Sequence, residues 1–155
     1  EKVLAVAESF AARRPDLHRA LLRALIEAAV WADARENRAE LASILAQPRY
    51  VGAPVAVLAA SLGDRLQRTP EGPSAAAPGF HVFHRYAANF PWTSHAMWLL
   101  GQMLRWRQVE GPLDVDALAR AAFRPDLYRE AASDLGVSAP LVDVKSEGTH
   151  AGPWT

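Results

Sequence analysis

The clearest pattern of apolar and polar positions lies between Pro15 and Asp33. Apolar residues recur there every three or four positions, and basic and acidic residues fall on the opposite side, which is typical of an amphipathic α-helix. Proline and aspartate at its start suit the first turn of a helix. We expect a core helix with one solvated side, whose apolar stripe is Leu17, Leu21, Leu25, Ala28 and Ala32, joined by Leu22, Ile26 and Ala29.

Shorter apolar runs, separated by Pro, Gly, Asn and Asp, predict six more helices. They are expected at residues 7–14, 38–46, 54–62, 94–107, 115–122 and 126–135. The candidate capping residues are Asn37, Thr93 or Ser94, and Asp114 or Asp116. The apolar run Val3–Val6 is interpreted as a strand, although four residues do not separate a strand from a helical turn by periodicity. The chain is therefore predicted to be mainly α.

The periodic pattern disappears between Asp64 and Gly79, where Pro, Gly, Ser and Ala dominate. This composition predicts an internal loop at 64–79 of about fifteen residues, and loops of that length are usually functional or disordered. The tail from Ser138 onward, which contains Pro140, is expected on the surface. The next long helix, 94–107, has apolar residues on more than one side, so we expect it to be nearly surrounded by protein or by a partner.

Composition narrows the function classes. The chain has 155 residues, with 17 basic and 17 acidic side chains and a pI near 7.3, so no summed field would attract nucleic acid or an anionic membrane. The absence of cysteine excludes a disulfide scaffold and thiolate metal sites. The first residues carry no initiator Met and no export signal, so we expect an excised or processed piece of a longer protein.

The sequence offers little sign of catalysis or metal binding. His81, His84 and His95 suggest zinc, but two histidines three positions apart in an extended stretch point to opposite faces, so we expect them to satisfy loop carbonyls instead. No Gly-x-Ser-x-Gly elbow and no glycine-rich phosphate loop is present. We expect no catalytic residue, no metal and no cofactor.

Aromatic residues are dense between Phe80 and Trp106, where seven occur in 27 positions. They could stack on a planar ligand, but such a cluster more often forms a local core beneath a long loop. We favour the local core.

The same run, FHVFHRYAANFPWTSHAMWLLGQMLRW, resembles a motif of the nitrate- and bicarbonate-binding solute receptors of ATP-driven transporters, the NrtA/CmpA type. Two further stretches, LLRALIEAAVWADARENRAELASILAQPRYVGAPV and FRPDLYREAASDLGV, are similar to that family's helix pair and closing helix. The resemblance implies part of a two-lobe α/β type II periplasmic-binding-protein fold that closes around an oxyanion. Family members are more than twice this length, so residues 1–155 are expected to be a single C-terminal domain or fragment of a longer binding protein.

The resemblance implies that most ligand-contacting groups lie upstream of Glu1. Lys2 is close to the position of a ligand-binding lysine in the family, and we predict it as a ligand residue. Part of the motif is expected to brace the cleft or the lobe interface rather than to contact the anion. The residues assigned to this structural role are His84, Arg85, Asn89, Pro91, Trp92 and His95.

The function predicted from the resemblance is the substrate-binding component of an ABC-type nitrate, nitrite or bicarbonate transporter, without catalysis and without nucleic acid. Its partners would be the membrane subunits of the transporter, and its place periplasmic or membrane-associated. Two alternatives stay open: a cytoplasmic nitrate sensor that acts on an antiterminator partner, and a regulatory, receptor-like tail of a transporter ATPase. If surfaces of the fragment are exposed by truncation, we also expect a homodimer.

Overall fold

A computed structural model of the chain describes residues 3–67 and 69–146. Within these residues the predicted mainly α fold and each of the predicted helices are confirmed, with ends that differ by one or two residues. The α-helices are α1 Glu8–Arg13, α2 Pro15–Asp33, α3 Arg38–Leu45, α4 Val55–Leu62, α5 Thr93–Arg105, α6 Val115–Ala122 and α7 Pro125–Asp134. Single 3₁₀ turns lie at Arg35–Asn37 and Arg85–Ala87. None of the described helices is long and apolar enough to cross a membrane.

Two segments differ from the prediction. Val3–Val6 was predicted as a strand but is irregular, and Val3 and Leu4 are exposed; a strand needs a neighbouring strand to pair its backbone, and no partner lies beside this run in the described chain. The predicted loop at 64–79 contains a small antiparallel hairpin, formed by β1 Arg65–Gln67 and β2 Ser74–Ala76. Strands of three residues are too short to show a period of two in the sequence.

The chain divides into two compact units, which we describe separately. The α3–α4 unit comprises residues 24–89, and the α5–α7 unit comprises residues 3–23 and 90–146. Helix α2 contributes its second half to the former and its first half to the latter.

In the α3–α4 unit, helix α3 packs against α4, and α4 contacts β1. Ile26, Ala32, Ala42 and Leu62 are buried and form its core. Asn37 stands at the predicted start of α3, but its side chain makes no capping bond there. Its amide Nδ2 instead donates to the carbonyl of Trp31 at 2.9 Å, which closes the turn after α2.

In the α5–α7 unit, helix α5 packs against α6. The buried ring of Phe90 meets those of Trp92 and Tyr128 edge to face, with ring centroids 4.8 and 5.2 Å apart. The prediction that all seven aromatic residues between Phe80 and Trp106 form one local core is wrong, because Phe80, Tyr86, Trp98 and Trp106 are exposed. Asp114 caps α6 by accepting a hydrogen bond from the amide of Ala117 at 3.0 Å. Helix α7 ends as predicted before Gly136, whose φ of 65° suits glycine.

Burial on the helices departs from the predicted stripes. On α2, Leu17 and Leu25 of the predicted stripe are 53% and 42% exposed, whereas Ala32 of the stripe and the adjoining Ile26 are 7% and 2% exposed, so only part of the predicted apolar side is buried. On α5, Trp98 and Leu99 are exposed, so the described chain does not surround this helix as expected. Both helices carry apolar residues over a wide arc, and which part of the arc is buried depends on the neighbours that pack there.

Candidate functional site

The candidate motif between Phe80 and Trp106 is shared by the two units. His84, Arg85 and Asn89 belong to the α3–α4 unit, where all three are partly buried. Pro91, Trp92 and His95 belong to the α5–α7 unit, where Trp92 is buried and the other two are partly buried. Lys2, the predicted ligand residue, lies outside the described residues.

The first part of the motif is a loop held by one carboxylate. Asp33, at the end of α2, accepts hydrogen bonds from three consecutive backbone amides of this loop: Phe83 at 3.3 Å, His84 at 3.2 Å and Arg85 at 2.6 Å. A carboxylate is well suited to this task because its two oxygens accept several hydrogen bonds and are stronger acceptors than a neutral carbonyl. Asp33 therefore fixes the path of the chain at 83–85.

Two arginines complete the cluster around Asp33. The guanidinium of Arg38 lies 3.3 Å from the carboxylate, and that of Arg85 lies 3.8 Å from it. Arg38 also donates to the carbonyl of His81 at 3.2 Å and lies over the ring of Phe83, 4.9 Å from its centroid. Arg85 donates to the carbonyls of Pro78 and His81, at 2.6 and 3.3 Å. We call Asp33, Arg38 and Arg85 the Asp33 cluster.

The Asp33 cluster is mostly shielded from water, with the Asp33 side chain only 9% exposed. Burial raises the pKa of Asp33, but the amides of Arg85, Phe83 and His84 and the charge of Arg85 lower it more, so the pKa lies below its usual value. Three buried nitrogens in this region have no hydrogen-bond acceptor within the described chain: Arg38 Nη1, His84 Nδ1 and Arg85 Nε. Because the cluster contains two arginines and one aspartate, its positive charge exceeds its negative charge.

The loop continues into an unusual backbone turn. Tyr86 and Ala87 have φ angles of 59° and 53°, in the left-handed region that residues other than glycine seldom adopt. Such a conformation costs on the order of 1 kcal/mol per residue or more and persists only where the surroundings hold it. The amide bonds to Asp33 hold the chain immediately before this turn.

The ring of His81 makes its contacts within the α3–α4 unit. The Nε2 atom of His81 lies 3.3 Å from the hydroxyl of Ser61, and its ring stacks beside Phe83 with centroids 6.2 Å apart. Across residues 3–67 and 69–146, no group of three or more His, Asp or Glu side chains is placed to hold a metal ion.

The second part of the motif starts α5 and holds the segment 140–145. The amide and the hydroxyl of Thr93 both donate to the main-chain carbonyl of Asp143, each at 2.9 Å. The hydroxyl of Ser94 accepts a hydrogen bond from the amide of Lys145 at 3.2 Å. The predicted capping role of Thr93 or Ser94 is therefore wrong, because both hydroxyls bond to a segment some fifty residues away, and Trp92 is the N-cap residue.

The side chain of Asp143 also helps to hold the segment 140–145 in place. Its carboxylate lies 2.7 Å from the guanidinium of Arg129, which also donates to the carbonyl of Pro140 at 2.7 Å. Arg120 approaches the carboxylate at 3.8 Å, and the ammonium of Lys145 lies over the ring of Trp92 at 5.2 Å. The tail up to residue 146 is at the surface, as predicted, but it is bonded to the helices rather than loose.

Sequence reasoning missed the residues that organise both parts, namely Asp33, Arg38, Asp143 and Arg129. Asp33 and Arg38 belong to the Trp-x-Asp and Asn-Arg elements of the stretch that resembles the receptor family, but the sequence assigned them no contact with the loop at 83–85. The local signal was a carboxylate at the end of an apolar helix, followed by arginines. Asp143 gave no signal, because its partners lie on helices far away in the sequence.

The chain is similar to one known family and to several known proteins. Residues 1–46 match the NMT1-like family. The chain is 31% identical to the nitrate import ATP-binding protein NrtC of Synechocystis sp. over 136 residues, which cover 88% of the chain and 20% of NrtC. It is 31% identical to the bicarbonate-binding protein CmpA of Synechococcus elongatus over 158 residues, which cover 97% of the chain and 35% of CmpA.

A solved structure shares the fold. The crystal structure of the periplasmic nitrate-binding protein NrtA from Synechocystis PCC 6803 superposes with a TM-score of 0.81 at 26% sequence identity, over 88% of the chain and 37% of NrtA. The predicted relation to part of a periplasmic-binding-protein fold is thereby confirmed. The chain spans about a third of CmpA and NrtA, and about a fifth of NrtC.

Proposed function

We propose that this relative of the nitrate-binding protein NrtA and the bicarbonate-binding protein CmpA is the C-terminal part of the substrate-binding component of an ABC-type nitrate or nitrite transporter. In this proposal the chain is not catalytic and needs no cofactor. Its partners are the membrane subunits of the transporter, and it acts in the periplasm or at the membrane. The anion is nitrate, nitrite or bicarbonate, held by the whole protein.

The observation that supports a bracing role is the Asp33 cluster. Its carboxylate is fully engaged with backbone amides and arginines, and such a group cannot serve as a free acid or base. The carboxylate of Asp33 holds the loop at 83–85 in one conformation. A binding cleft depends on such preorganised loops, because each donor to a small oxyanion must be fixed before the anion arrives.

The anion itself needs directed donors, which this proposal places largely outside the chain. A planar oxyanion is recognised by amide and indole N–H groups, helix N-termini and a lysine ammonium. We propose Lys2 as that lysine. His84, Arg85, Asn89, Pro91, Trp92 and His95 are proposed to brace the lobe rather than to contact the anion.

Isothermal titration of nitrate tests the proposal, with nitrite and bicarbonate titrated in parallel. The anions are added to this chain and to the same chain extended upstream by its natural preceding residues. We expect saturable binding in the extended protein and none of micromolar affinity in the 155-residue chain. Micromolar binding of nitrate by the 155-residue chain would contradict the proposal that most ligand-binding groups lie upstream of it. Absence of binding by the extended protein would contradict the proposed role in anion transport.

The match to NrtC supports a second candidate. NrtC is a nitrate import ATP-binding protein, and 88% of this chain aligns with a fifth of it. On this reading the chain is the receptor-like part of a transporter ATPase and regulates transport. An ATP-binding loop encoded upstream in the natural gene, together with ATPase activity that nitrate modulates, would favour this candidate over the first.

We also propose that the isolated chain forms a homodimer through α5. Trp98 and Leu99 on α5 are 64% and 43% exposed, and Trp106, directly after the helix, is 68% exposed. Large contiguous apolar patches rarely remain open to water. Size-exclusion chromatography with light scattering is expected to give a dimer mass for the chain and a monomer mass for a Trp98→Ser, Trp106→Ser variant. Tyr86→Ser, which removes another exposed ring, serves as the control and should stay dimeric. A monomer mass for the unmodified chain would refute this proposal.

A further inference from the structure

A small cavity lies within the α5–α7 unit. It has a volume of about 220 Å³ and is open to solvent. Its lining is formed by Thr93, Arg120, Phe123, Arg124, Pro125, Asp126, Arg129 and Asp143. Three of these residues are arginines, from α6, from α7 and from the junction between the two helices.

Each of the three arginines is paired through two of its nitrogens. Arg124 bonds Asp126 through Nε and Nη2. Arg129 bonds the carbonyl of Pro140 through Nε and the carboxylate of Asp143 through Nη2. Arg120 bonds Asp116 through Nε at 2.8 Å and approaches Asp143 through Nη1 at 3.8 Å.

The third nitrogen of each guanidinium has no acceptor within the described residues: Nη2 of Arg120 and Nη1 of Arg124 and of Arg129. A guanidinium carries five N–H groups in one plane, so each arginine keeps donors available beyond its internal pair. The three side chains start from different elements and converge on one cavity. Three carboxylates balance their three positive charges: Asp126 and Asp143 belong to the lining, and Asp116 on α6 pairs with Arg120 from outside it.

We propose that this cavity binds a small, doubly charged tetrahedral oxyanion, sulfate or phosphate. Pockets for organic ligands usually measure 300–1,000 Å³, so a cavity of about 220 Å³ suits an inorganic ion with part of its water. Four oxygens arranged in space match guanidinium donors that approach from separate helices, and a double charge competes better with the carboxylates for them. The inference does not depend on the proposed transport function, because the cavity lies wholly within the α5–α7 unit.

The site is expected to be weak and sensitive to salt. The side chains of Arg120 and Arg124 are 57% and 49% exposed, and exposed charges interact modestly in water. We expect a dissociation constant on the order of 1 mM near neutral pH.

Titration calorimetry with sodium sulfate and sodium phosphate tests the proposal, at an ionic strength kept constant with sodium chloride. Arg124→Gln is the main variant, because Arg124 pairs only with its near neighbour Asp126 and its loss should leave the fold intact. We expect this variant to bind about tenfold more weakly, the effect of one charge-assisted hydrogen bond. The matched control is Arg19→Gln, which removes an arginine that pairs in the same bidentate way with Asp134 but does not line the cavity.

A second variant works in the opposite direction. Asp126→Asn removes one of the two carboxylates of the lining and frees Arg124, so sulfate should bind severalfold more tightly, whereas simple damage to the fold would weaken binding. Absence of saturable binding to the unmodified chain would overturn the proposal. So would equal losses in Arg124→Gln and Arg19→Gln, or weaker binding by Asp126→Asn.

Discussion

Each unit fastens a loop with an aspartate that lies between two arginines, but the two aspartates use different atoms for the task. In the α3–α4 unit, the carboxylate of Asp33 accepts the backbone amides of the loop at 83–85. In the α5–α7 unit, the main-chain carbonyl of Asp143 accepts the amide and hydroxyl of Thr93, and among the described residues its carboxylate pairs with arginine alone. The same residue type therefore anchors one loop by its side chain and the other by its backbone.

The side chains of Asp33 and Asp143 also differ in how deeply they are buried. The side chain of Asp33 is 9% exposed and that of Asp143 is 34% exposed. A buried ion pair is costly to break, since the remaining partner keeps its charge in a region of low polarity, whereas exposed pairs contribute about 0–1 kcal/mol. The comparison predicts a large effect of mutation in one unit and a small effect in the other.

The largest effect is expected for Asp33→Ala. The substitution leaves Arg38 and Arg85 without their shared counter-ion and three loop amides without an acceptor, so we expect a loss of about 3–5 kcal/mol in the free energy of unfolding. Urea unfolding measures the loss, and hydrogen exchange should show faster exchange at the amides of Phe83, His84 and Arg85.

Asp33→Asn is the matched control for this substitution. Asparagine keeps one acceptor oxygen but loses the charge, so its loss should be smaller than that of alanine while the loop amides retain part of their protection. Equal and small losses in both variants would show that the loop at 83–85 does not depend on Asp33.

A second prediction concerns pH. The pKa of Asp33 lies below its usual value in the folded chain, so the unfolded state binds the proton more readily, and the stabilisation from its charge is complete above the unfolded pKa of about 3.9. It is lost as the pH falls through the lower, folded pKa. The stability difference between the unmodified chain and Asp33→Asn should be constant from pH 7 to about 5 and shrink below about pH 4. A difference that grows on acidification would contradict the assignment.

The smallest effect is expected for Asp143→Ala. The carbonyl that accepts from Thr93 remains, and only the partly exposed pairs with Arg129 and Arg120 are lost, so the free energy of unfolding should fall by about 1 kcal/mol and by less in high salt. The amide of Thr93 should stay protected from exchange. Asp116→Asn, which removes an exposed ion pair on α6, is the reference variant. If the amide of Thr93 lost its protection in Asp143→Ala, the proposed difference between the two aspartates would be wrong.

The sequence predicted the helices well, because their signals are local. Pro125 in the first turn of α7, Gly136 after the helix and Asp114 at the start of α6 each act within one helical turn, and the structure has them in those roles. The sequence also predicted the relation to oxyanion receptors, because the motif from Phe80 to Trp106 is one contiguous run of residues. The hairpin in 64–79 was missed because strands of three residues carry no recognisable period.

What the sequence determined by itself is thus the set of helices, the near-neutral charge and the kinship of the chain. Only the tertiary structure decided which part of the apolar side of α2 is buried and where the hydroxyls of Thr93 and Ser94 bond. It also decided that Asp33 and Asp143 hold these loops, since the loop at 83–85, Thr93 and Arg129 lie some fourteen to fifty residues away from them along the chain. Helix signals are fixed by neighbours within a turn, whereas a hydrogen bond between distant residues exists only after folding has brought them together.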